Sequence, residues 1–292
     1  MTKKKTCVVV IPLYKNNPER SERESFSQTL HVLKNYDICI VTHSKCCLDE
    51  YIAIAEKEGK NIYTELFNTH FFESIDGYNE LCFLSEFYER FLHYEYMLIC
   101  QLDVWIFDDQ LDYWCGKGYD YIGAPLFHAY TKERYTKKIL GIGNGGFSLR
   151  KISHCLKITR HNRSLPLVKP IEIIRFYWNL GKYTEDFTLH PIRRLGIIPT
   201  VILKSFGIGN TLNYYISHHA NEDLIFGKWS NHSWGLHSHL PSIEEASHFA
   251  FEVHPSMLYQ KTGELPFGCH AFLKWEYEEF WKKYISLKDN QQ

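Results

Sequence analysis

The sequence predicts an α/β protein built on a mostly parallel central sheet with helices on both faces. Two features of the first hundred residues indicate this class. Strand-like and helix-like segments alternate at a spacing of about thirty residues, the size of a βαβ unit. The strand-like segments are continuous apolar runs, which are typical of strands covered on both faces. With 292 residues, of which 45% are apolar and 23% charged, the chain is able to bury such a sheet.

The first part of the chain contains four predicted strands with three predicted helices between them. The strands cover residues 8–13, 36–42, 61–67 and 96–107. The helices cover residues 19–33, 48–58 and 78–91. Apolar side chains in the helices recur near the helical period, and Gly59 closes the second helix.

The second part of the chain is less regular. Residues 119–124 and 146–150 are predicted strands, and helices are expected from Ser153 onward. No linker rich in Pro, Gly or Ser separates the two parts of the sequence. This favours one domain with a helical C-terminal elaboration over two domains.

The charge balance and the cysteine pattern limit the functional class. The chain has 33 Lys plus Arg against 34 Asp plus Glu, so it lacks the basic excess of a dedicated nucleic-acid binder. The nine cysteines are odd in number and stand mostly in apolar segments, which predicts reduced thiols rather than a disulfide framework. The first apolar run ends at Pro12 and is too short to span a bilayer or to form a signal segment. We therefore expect a cytoplasmic protein without a transmembrane segment, which leaves peripheral association with the inner face of the membrane open.

Asp103 is a single carboxylate in the apolar run of the fourth predicted strand. An unpaired buried carboxylate costs several kcal/mol, so this side chain must be paired, hydrogen-bonded or bound to a metal. The position therefore favours a functional carboxylate. Capping of the next helix or pairing with Arg or Lys is the alternative. Asp108 and Asp109 are interpreted as the start of a short helix.

Polar turns follow the first two predicted strands, where ligands of open α/β sheets bind. Pro12 to Lys15 follow the first strand, and Thr42 to Ser44 follow the second. Both segments could contact a base and ribose, and ordinary strand-to-helix turns explain each of them equally well.

Residues 141–146 match the dinucleotide pattern GxGxxG, but they precede a strand and lack an acidic residue about twenty positions later. The segment is instead interpreted as a glycine-dense loop whose backbone can approach a ligand, with Asn144 able to bond a hydroxyl group. A tight bend in the sheet is the alternative.

Asn221, Glu222 and Asp223 precede an apolar segment and predict the start of a helix. A carboxylate held there is able to act as a general base toward a hydroxyl group. Neighbouring aromatic residues could stack on sugars, although such residues are often core: Tyr214, Tyr215, Trp229 and Trp234. Five histidines between residues 218 and 239 lack the spacing of a zinc site, and a metal-dependent hydrolase built on them is a minor hypothesis.

Taken together, these stretches resemble the Leloir glycosyltransferases of the GT-A fold, and most closely an uncharacterised microbial family of that superfamily. The matching stretches span nearly the whole chain, at residues 9–15, 36–41, 77–91, 101–107, 119–125, 143–150, 221–223 and 266–272. The resemblance implies one GT-A-like domain over residues 1–292. About 1–110 would form the nucleotide-binding half, and about 111–292 the acceptor-binding and catalytic half.

The resemblance also implies an activity. A sugar would pass from a nucleoside diphosphate sugar, with a UDP-sugar preferred, to a hydroxyl group of a glycan or glycolipid in cell-envelope polysaccharide biosynthesis. Asp223 would be the base of an inverting reaction, with Glu222 as the second candidate. Asp103 would lie at the DxD motif and would hold Mn²⁺ or Mg²⁺ together with His270. The implied donor-binding residues are Pro12, Tyr14, Thr42, Tyr78, Asn79, Gln101, Asp103, Asn144, Gly145 and Gly146.

One position departs from the family pattern. The DxD element is Asp103-Val104-Trp105, so its second carboxylate is absent. Either Asp103, His270 and the diphosphate hold the cation, or basic side chains such as Lys15 or Arg150 replace it. The missing carboxylate also motivates the rival hypothesis of a non-catalytic protein that binds nucleotide sugars or carbohydrates.

Overall fold

The computed structural model describes residues 5–127, 137–160, 221–227 and 238–287, together with Pro199. The strands in chain order are β1 (Lys5–Pro12), β2 (Asp37–Thr42), β3 (Ile62–Leu66), β4 (Tyr94–Cys100), β5 (Val104–Ile106), β6 (Tyr121–Ile122), β7 (Pro125–Phe127), β8 (Ile139–Ile142), β9 (Phe147–Lys151), β10 (Ala250–Phe251) and β11 (Gly268–His270). The helices are α1 (Arg20–Val32), α2 (Asp49–Lys57), α3 (Ile75–Phe83), α4 (Ser85–Glu89), α5 (Leu111–Gly116), α6 (Ile152–Thr159), α7 (Glu222–Gly227), α8 (Ile243–Phe249) and α9 (Pro255–Thr262). Within the described ranges, two 3₁₀ helices cover Thr69–Phe72 and Trp281–Lys283.

The main sheet has six strands in the order β3-β2-β1-β4-β9-β6. The first four are mutually parallel, and β9 runs antiparallel to β4 and to β6. Alternate residues of β1 enter different cores: Val9 and Ile11 face one side, and Val8 and Val10 face the other. All four are buried, which explains why the strand is a continuous apolar run. The predicted α/β class with a mostly parallel sheet is confirmed.

A second sheet of three strands, in the order β10-β11-β5, lies beside the first. β11 pairs parallel with β10 and antiparallel with β5. A separate apolar cluster that includes Phe251, Cys269 and Trp281 packs around it. Strands β7 and β8 form an antiparallel pair.

Two predicted elements are split. The run 96–107 forms two strands, because Val104 N donates to Gln101 O in a tight turn that takes β5 out of the main sheet. The predicted helix 78–91 forms α3 and α4, because Leu84 between them has an extended backbone with ψ of 131°. The other predicted strands and the first two helices are confirmed with their ends shifted by a few residues.

The nine cysteines are all free thiols, and all except Cys46 and Cys47 are buried. Within the ranges described, no helix combines the length and the apolar character needed to cross a bilayer.

Candidate active site

Polar residues gather where the parallel strands of the main sheet end. Because β1, β2 and β4 are parallel, their carboxyl ends share one edge. β9 runs antiparallel to β4 with Phe147 opposite Cys100, so the preceding glycine loop 143–146 lies at the same edge. A hydrogen bond of 2.9 Å from Gln101 N to Gly146 O joins the end of β4 to this loop.

Asp103, His270 and Glu252 form a row across the small sheet. Glu252 follows β10, His270 ends β11 and Asp103 precedes β5. His270 Nε2 lies 3.3 Å from Asp103 Oδ1, and His270 Nδ1 lies 3.3 Å from Glu252 Oε1. The side chain of Asp103 is 50% exposed, whereas that of His270 is 14% exposed. The row therefore presents the Asp103 carboxylate to solvent and keeps the imidazole inside.

The exposure of Asp103 corrects the sequence-based expectation of a carboxylate inside an apolar strand. Asp103 lies in the turn between β4 and β5, and its carbonyl accepts a hydrogen bond of 2.9 Å from Ala271 N. Ala271 has a φ of 51°, a left-handed conformation that costs a non-glycine residue about 1–2 kcal/mol. The chain thus turns directly after His270 while it stays bonded to Asp103.

The neighbouring charges determine the protonation of His270. Burial disfavours the charged imidazole, but Asp103 and Glu252 outweigh this effect and raise the pKa of His270 to about 10. Burial also opposes the charge of Asp103, whereas His270 lowers the pKa of that carboxyl below its usual value. At neutral pH the pair is therefore charged, and His270 must lose the Nε2 proton before this atom is able to bind a metal.

Three glycines of loop 143–146 face three polar side chains. A Cβ built on Gly143 would lie 2.9 Å from Asp223 Oδ2, and one built on Gly145 would lie 2.7 Å from Glu222 Oε1. A Cβ on Gly146 would clash with His270 Nε2. The close approach of this loop therefore requires glycine, and the loop contacts His270 and both carboxylates at the start of α7.

Glu222 is neutralised by a buried arginine. Arg150 Nη2 lies 2.6 Å from Glu222 Oε1, and both side chains are almost completely buried. The guanidinium also donates to Ser148 and Tyr88 and lies over the ring of Phe226. An arginine bound in this way is not available to a diphosphate, so the alternative in which Arg150 replaces the cation is wrong. Glu222 is likewise poorly suited to act as a base.

Asp223 lies beside Glu222, and no cationic side chain among the described residues forms an ion pair with it. It is 8% exposed, and Oδ1 has no hydrogen-bond partner among the described residues. Burial, assisted by the charges of Glu222 and Glu252, raises the pKa of Asp223 to about 8. A carboxyl with this pKa is protonated at neutral pH and, once ionised, is a stronger base than an ordinary aspartate.

Asn144 presents an unpaired donor at this loop. Its Oδ1 accepts from Gly146 N and Phe147 N, both at 3.0 Å, which fixes the orientation of the amide. Its Nδ2 is buried without a hydrogen-bond partner among the described residues. Asn144 therefore has a directed N–H group that a hydroxyl oxygen would satisfy.

Tyr78 and Asn79 of α3 support the site from behind. Tyr78 Oη donates to Gly145 O over 3.2 Å. Asn79 Oδ1 accepts from Glu222 N, and its Nδ2 donates to Asn221. Both polar groups are occupied by the protein itself, so they position the loop and the start of α7.

The other predicted donor-binding residues lie at the same edge of the sheet. Pro12 ends β1 and is buried, whereas Tyr14 just beyond it is 62% exposed. Thr42 ends β2, and its hydroxyl donates to Leu13 O over 2.8 Å, so this group ties β2 to the β1 turn. Lys15 lies near Glu19 and Glu22, at 3.3 and 2.7 Å.

Part of the predicted aromatic and histidine set lies outside the described residues. This applies to Tyr214, Tyr215, Trp229, Trp234, His218, His219, His232 and His237. His239 is described, and its ring contacts Gly118 O and the ring of Tyr119. This environment is structural.

Sequence reasoning missed Glu252 and the pairing of Arg150 with Glu222. A signal existed for Glu252, which is a single carboxylate directly after the apolar segment 249–251, as Asp103 is after its own apolar run. The pairing of Arg150 had no sequence signal, because its partner is 72 residues away.

Asp103 and His270 are suited to serve as two protein ligands of a hard cation. Among the described residues, no group of three His, Cys, Asp or Glu side chains converges on one point. Asp103 Oδ1 and His270 Nε2 do converge, and Asp103 is open to solvent. Mg²⁺ and similar ions often take one or two protein ligands and complete their shell with phosphate oxygens and water. The donor set therefore suits a cation that binds together with a diphosphate.

The chain belongs to a family described as a protein of unknown function, DUF5672, whose model matches residues 61–270. This match confirms the uncharacterised family expected from the sequence. No curated protein matches the chain.

Several solved structures are similar to the chain, among them two glycosyltransferases and a mannan synthase. A galactosyltransferase LgtC with donor and acceptor sugar analogues is 13% identical with a TM-score of 0.44, over 90% of this chain and 86% of that one. A glycosyltransferase involved in the glycosylation of the major capsid of PBCV-1 is 11% identical with a TM-score of 0.37, over 91% of this chain and 92% of that one. Core-mannan synthase A from Aspergillus fumigatus, in a Mn/GDP form, is 11% identical with a TM-score of 0.33, over 42% and 43%. Such likenesses concern the fold and do not extend to donor, acceptor or mechanism.

Proposed function

We propose that the protein is a metal-assisted glycosyltransferase. It moves a sugar from a nucleoside diphosphate sugar, with a UDP-sugar preferred, to a hydroxyl group of a cell-envelope glycan or glycolipid. The observation that carries this proposal is the placement of two different carboxyl groups around one glycine loop. Gly146 adjoins His270 of the Asp103 pair, and Gly143 adjoins the buried Asp223.

Asp103 and His270 are the proposed ligands of a Mn²⁺ or Mg²⁺ ion. When bound, such an ion offsets the negative charge that develops on the departing diphosphate. The half-exposed carboxylate of Asp103 supports this role, because a diphosphate is able to approach it from solvent. Pro12, Tyr14, Thr42 and Gln101 surround the carboxyl ends of the strands, where we place the nucleotide.

Asp223 is the proposed general base of an inverting transfer. Its ionised carboxylate accepts the proton of the acceptor hydroxyl while that oxygen forms a bond to the anomeric carbon of the sugar. The bond from the anomeric carbon to the phosphate oxygen breaks, and the nucleoside diphosphate leaves with the electron pair. The raised pKa of Asp223, about 8, supports the role because it brings the base closer to the pKa of a hydroxyl group.

Asn144 is the proposed contact to the transferred sugar. Its unpaired Nδ2 donates to a sugar hydroxyl, and the backbone of Gly145 and Gly146 approaches the same sugar without a side chain. In this arrangement residues 1–110 bind the nucleotide, and residues 111–292 supply the acceptor side and the base. We place the reaction in the cytoplasm.

A non-catalytic protein that binds nucleotide sugars or carbohydrates is the second candidate. The observation that favours it is Trp105, which occupies the position of the second DxD carboxylate and leaves Asp103 as the one carboxylate of that motif. Such a protein would bind donors without turnover.

A donor panel separates the two candidates. The purified protein is incubated with nucleoside diphosphate sugars, with and without Mn²⁺ and with candidate glycan acceptors, and release of the nucleotide is measured. The transferase hypothesis predicts cation-dependent release that Asp103→Asn abolishes. Asp109→Asn is the matched control, because Asp109 is an exposed aspartate beyond the other end of β5. Donor binding without release in every combination favours the binding protein, and neither binding nor release overturns both.

A further inference from the structure

Glu252 holds the inner end of the His270 side chain. Its carboxylate Oε1 lies 3.3 Å from His270 Nδ1, on the side of the ring opposite to Asp103. His270 Nδ1 is buried and makes no hydrogen bond among the described residues, so its contact with Glu252 is an ion pair at 3.3 Å. The side chain of Glu252 is itself only 23% exposed. Glu252 is therefore partly shielded from water, which competes less for its charge than it would at an exposed position.

The backbone makes this contact a consequence of the fold. β10 and β11 are parallel, with Phe251 opposite Cys269, so the next residues along the two strands are Glu252 and His270. On the other side, β11 is antiparallel to β5, with His270 opposite Val104. The order of three strands alone therefore places the imidazole between two carboxylates.

We propose that Glu252 is a positioning residue that fixes the orientation and tautomer of His270 for cation binding. Once Nε2 has lost its proton, a carboxylate beside Nδ1 keeps the remaining ring proton on that atom and leaves the lone pair of Nε2 for the cation, next to Asp103. The inference rests on the proposed function, because it assumes that Asp103 and His270 hold a cation. Carboxylates placed in this way behind a metal-binding histidine typically change the metal affinity by 10–100-fold when they are removed.

The close contact with Gly146 restricts the orientation of the His270 ring. The Nε2 edge of His270 lies so near Gly146 that a Cβ there would clash with it. The ring therefore has little room on that side, and a rotated or flipped imidazole would aim Nε2 away from Asp103. The charge of Glu252 favours the orientation in which His270 Nε2 faces Asp103. The small size of Gly146 leaves room for the ring in that orientation.

The test measures cation binding without turnover. Mn²⁺ is titrated into the full-length protein with UDP present, and free Mn²⁺ is followed by electron paramagnetic resonance. Glu252→Gln is nearly isosteric and removes only the charge. Glu264→Gln is the matched control, because Glu264 also pairs with a histidine, at 2.7 Å from His248 Nδ1, and is 66% exposed on the surface. Glu252→Asp keeps the charge on a shorter side chain.

The expected result is an increase of 10–100-fold in the Mn²⁺ dissociation constant for Glu252→Gln, a smaller increase for Glu252→Asp and no change for Glu264→Gln. Thermal unfolding of each variant confirms that the fold is retained. If the wild type binds Mn²⁺ and Glu252→Gln binds it equally well, the positioning role is wrong while the cation site stands. If the wild type itself binds no Mn²⁺ with UDP, the proposed cation site fails and this inference fails with it. Equal weakening by Glu252→Gln and Glu264→Gln also overturns the inference.

Discussion

Asp103 and Asp223 carry the same functional group, but their carboxyl groups lie in opposite environments, one on each side of the glycine loop. Asp103 is half exposed and pairs with His270, which lowers its pKa. Asp223 is buried beside Glu222, and its pKa rises to about 8. The nearby Arg150 does not reverse this effect, because its shortest ion pair is with Glu222. The Asp103 carboxyl therefore stays ionised near solvent, whereas the buried Asp223 carboxyl keeps its proton.

This difference shows that the surroundings of a carboxyl group determine its chemical role. A permanently charged, accessible carboxylate suits a cation, whereas a carboxyl with a raised pKa suits proton transfer near neutral pH. Three substitutions and two pH profiles test the comparison, beginning with the largest expected effect.

Replacement of the base should have the largest effect on the rate. Asp223→Asn keeps the size of the side chain and removes its ability to accept a proton. We expect transfer to fall by about 10²–10⁴-fold, the range of general base catalysis, with donor affinity nearly unchanged. Initial rates and donor titrations measure the two quantities. Loss of donor affinity with an unchanged maximal rate would place Asp223 on the donor side instead.

Breakage of the buried ion pair should have the largest effect on stability. Arg150→Ala leaves Glu222 buried without its arginine partner, which is expected to lower the free energy of unfolding by about 3–5 kcal/mol. The control is Arg90→Ala, since Arg90 pairs with two carboxylates, Glu65 and Glu86, but is 43% exposed. That change should cost about 1 kcal/mol or less. Similar losses in urea unfolding of both variants would refute the contrast.

A methyl group in the glycine loop should weaken cation binding at Asp103 and His270. In Gly146→Ala the new Cβ meets His270 Nε2, so the imidazole must move away from Asp103. We expect Mn²⁺ affinity in the presence of UDP to fall by about 10–100-fold, as when a group that orients a ligand is lost. Gly116→Ala is the control, because a Cβ at Gly116 meets nothing within 4 Å. Wild-type affinity in Gly146→Ala would contradict the contact.

The pH dependence of stability should report the proton on Asp223. Its folded pKa of about 8 lies above the ordinary value of 3.8, so the folded state binds the extra proton. This contribution is complete below pH 4 and is lost as the pH rises through 8. Between pH 4 and 6 the free energy of unfolding should therefore decline with pH more steeply in the wild type than in Asp223→Asn, by up to about 1.4 kcal/mol per pH unit. Parallel curves for the two proteins would show that Asp223 is not held protonated.

The proton on Asp223 should also determine the pH dependence of the reaction rate. With Asp223 as the base, kcat/KM should rise with pH and level off above about 8, because the free enzyme must first lose this proton. A profile that is flat from pH 6 to 9 would exclude Asp223 as the base.

The sequence predicts the main sheet well because its signal is local. The run of β1 is apolar at every position, since both faces of the strand are buried. The split of the run 96–107 was not predictable from apolar pattern, because β5 pairs with β11 more than 160 residues later. Asp103 and His270 were found through their residue types and the family resemblance, while their 3.3 Å contact depends on that distant pairing. Glu252 has a local signal in its position after the apolar segment 249–251, but only the strand order makes it a neighbour of His270.

The central claim is that the Asp103 side of the site binds a nucleoside diphosphate together with a cation. Isothermal titration calorimetry of UDP into the protein with Mn²⁺ present tests it directly, with Asp103→Asn and Asp109→Asn as the compared variants. The account predicts one UDP site in the wild type and in Asp109→Asn, and at least tenfold weaker binding in Asp103→Asn. Equal affinity in all three proteins, or no binding of any nucleoside diphosphate by the wild type, would contradict it.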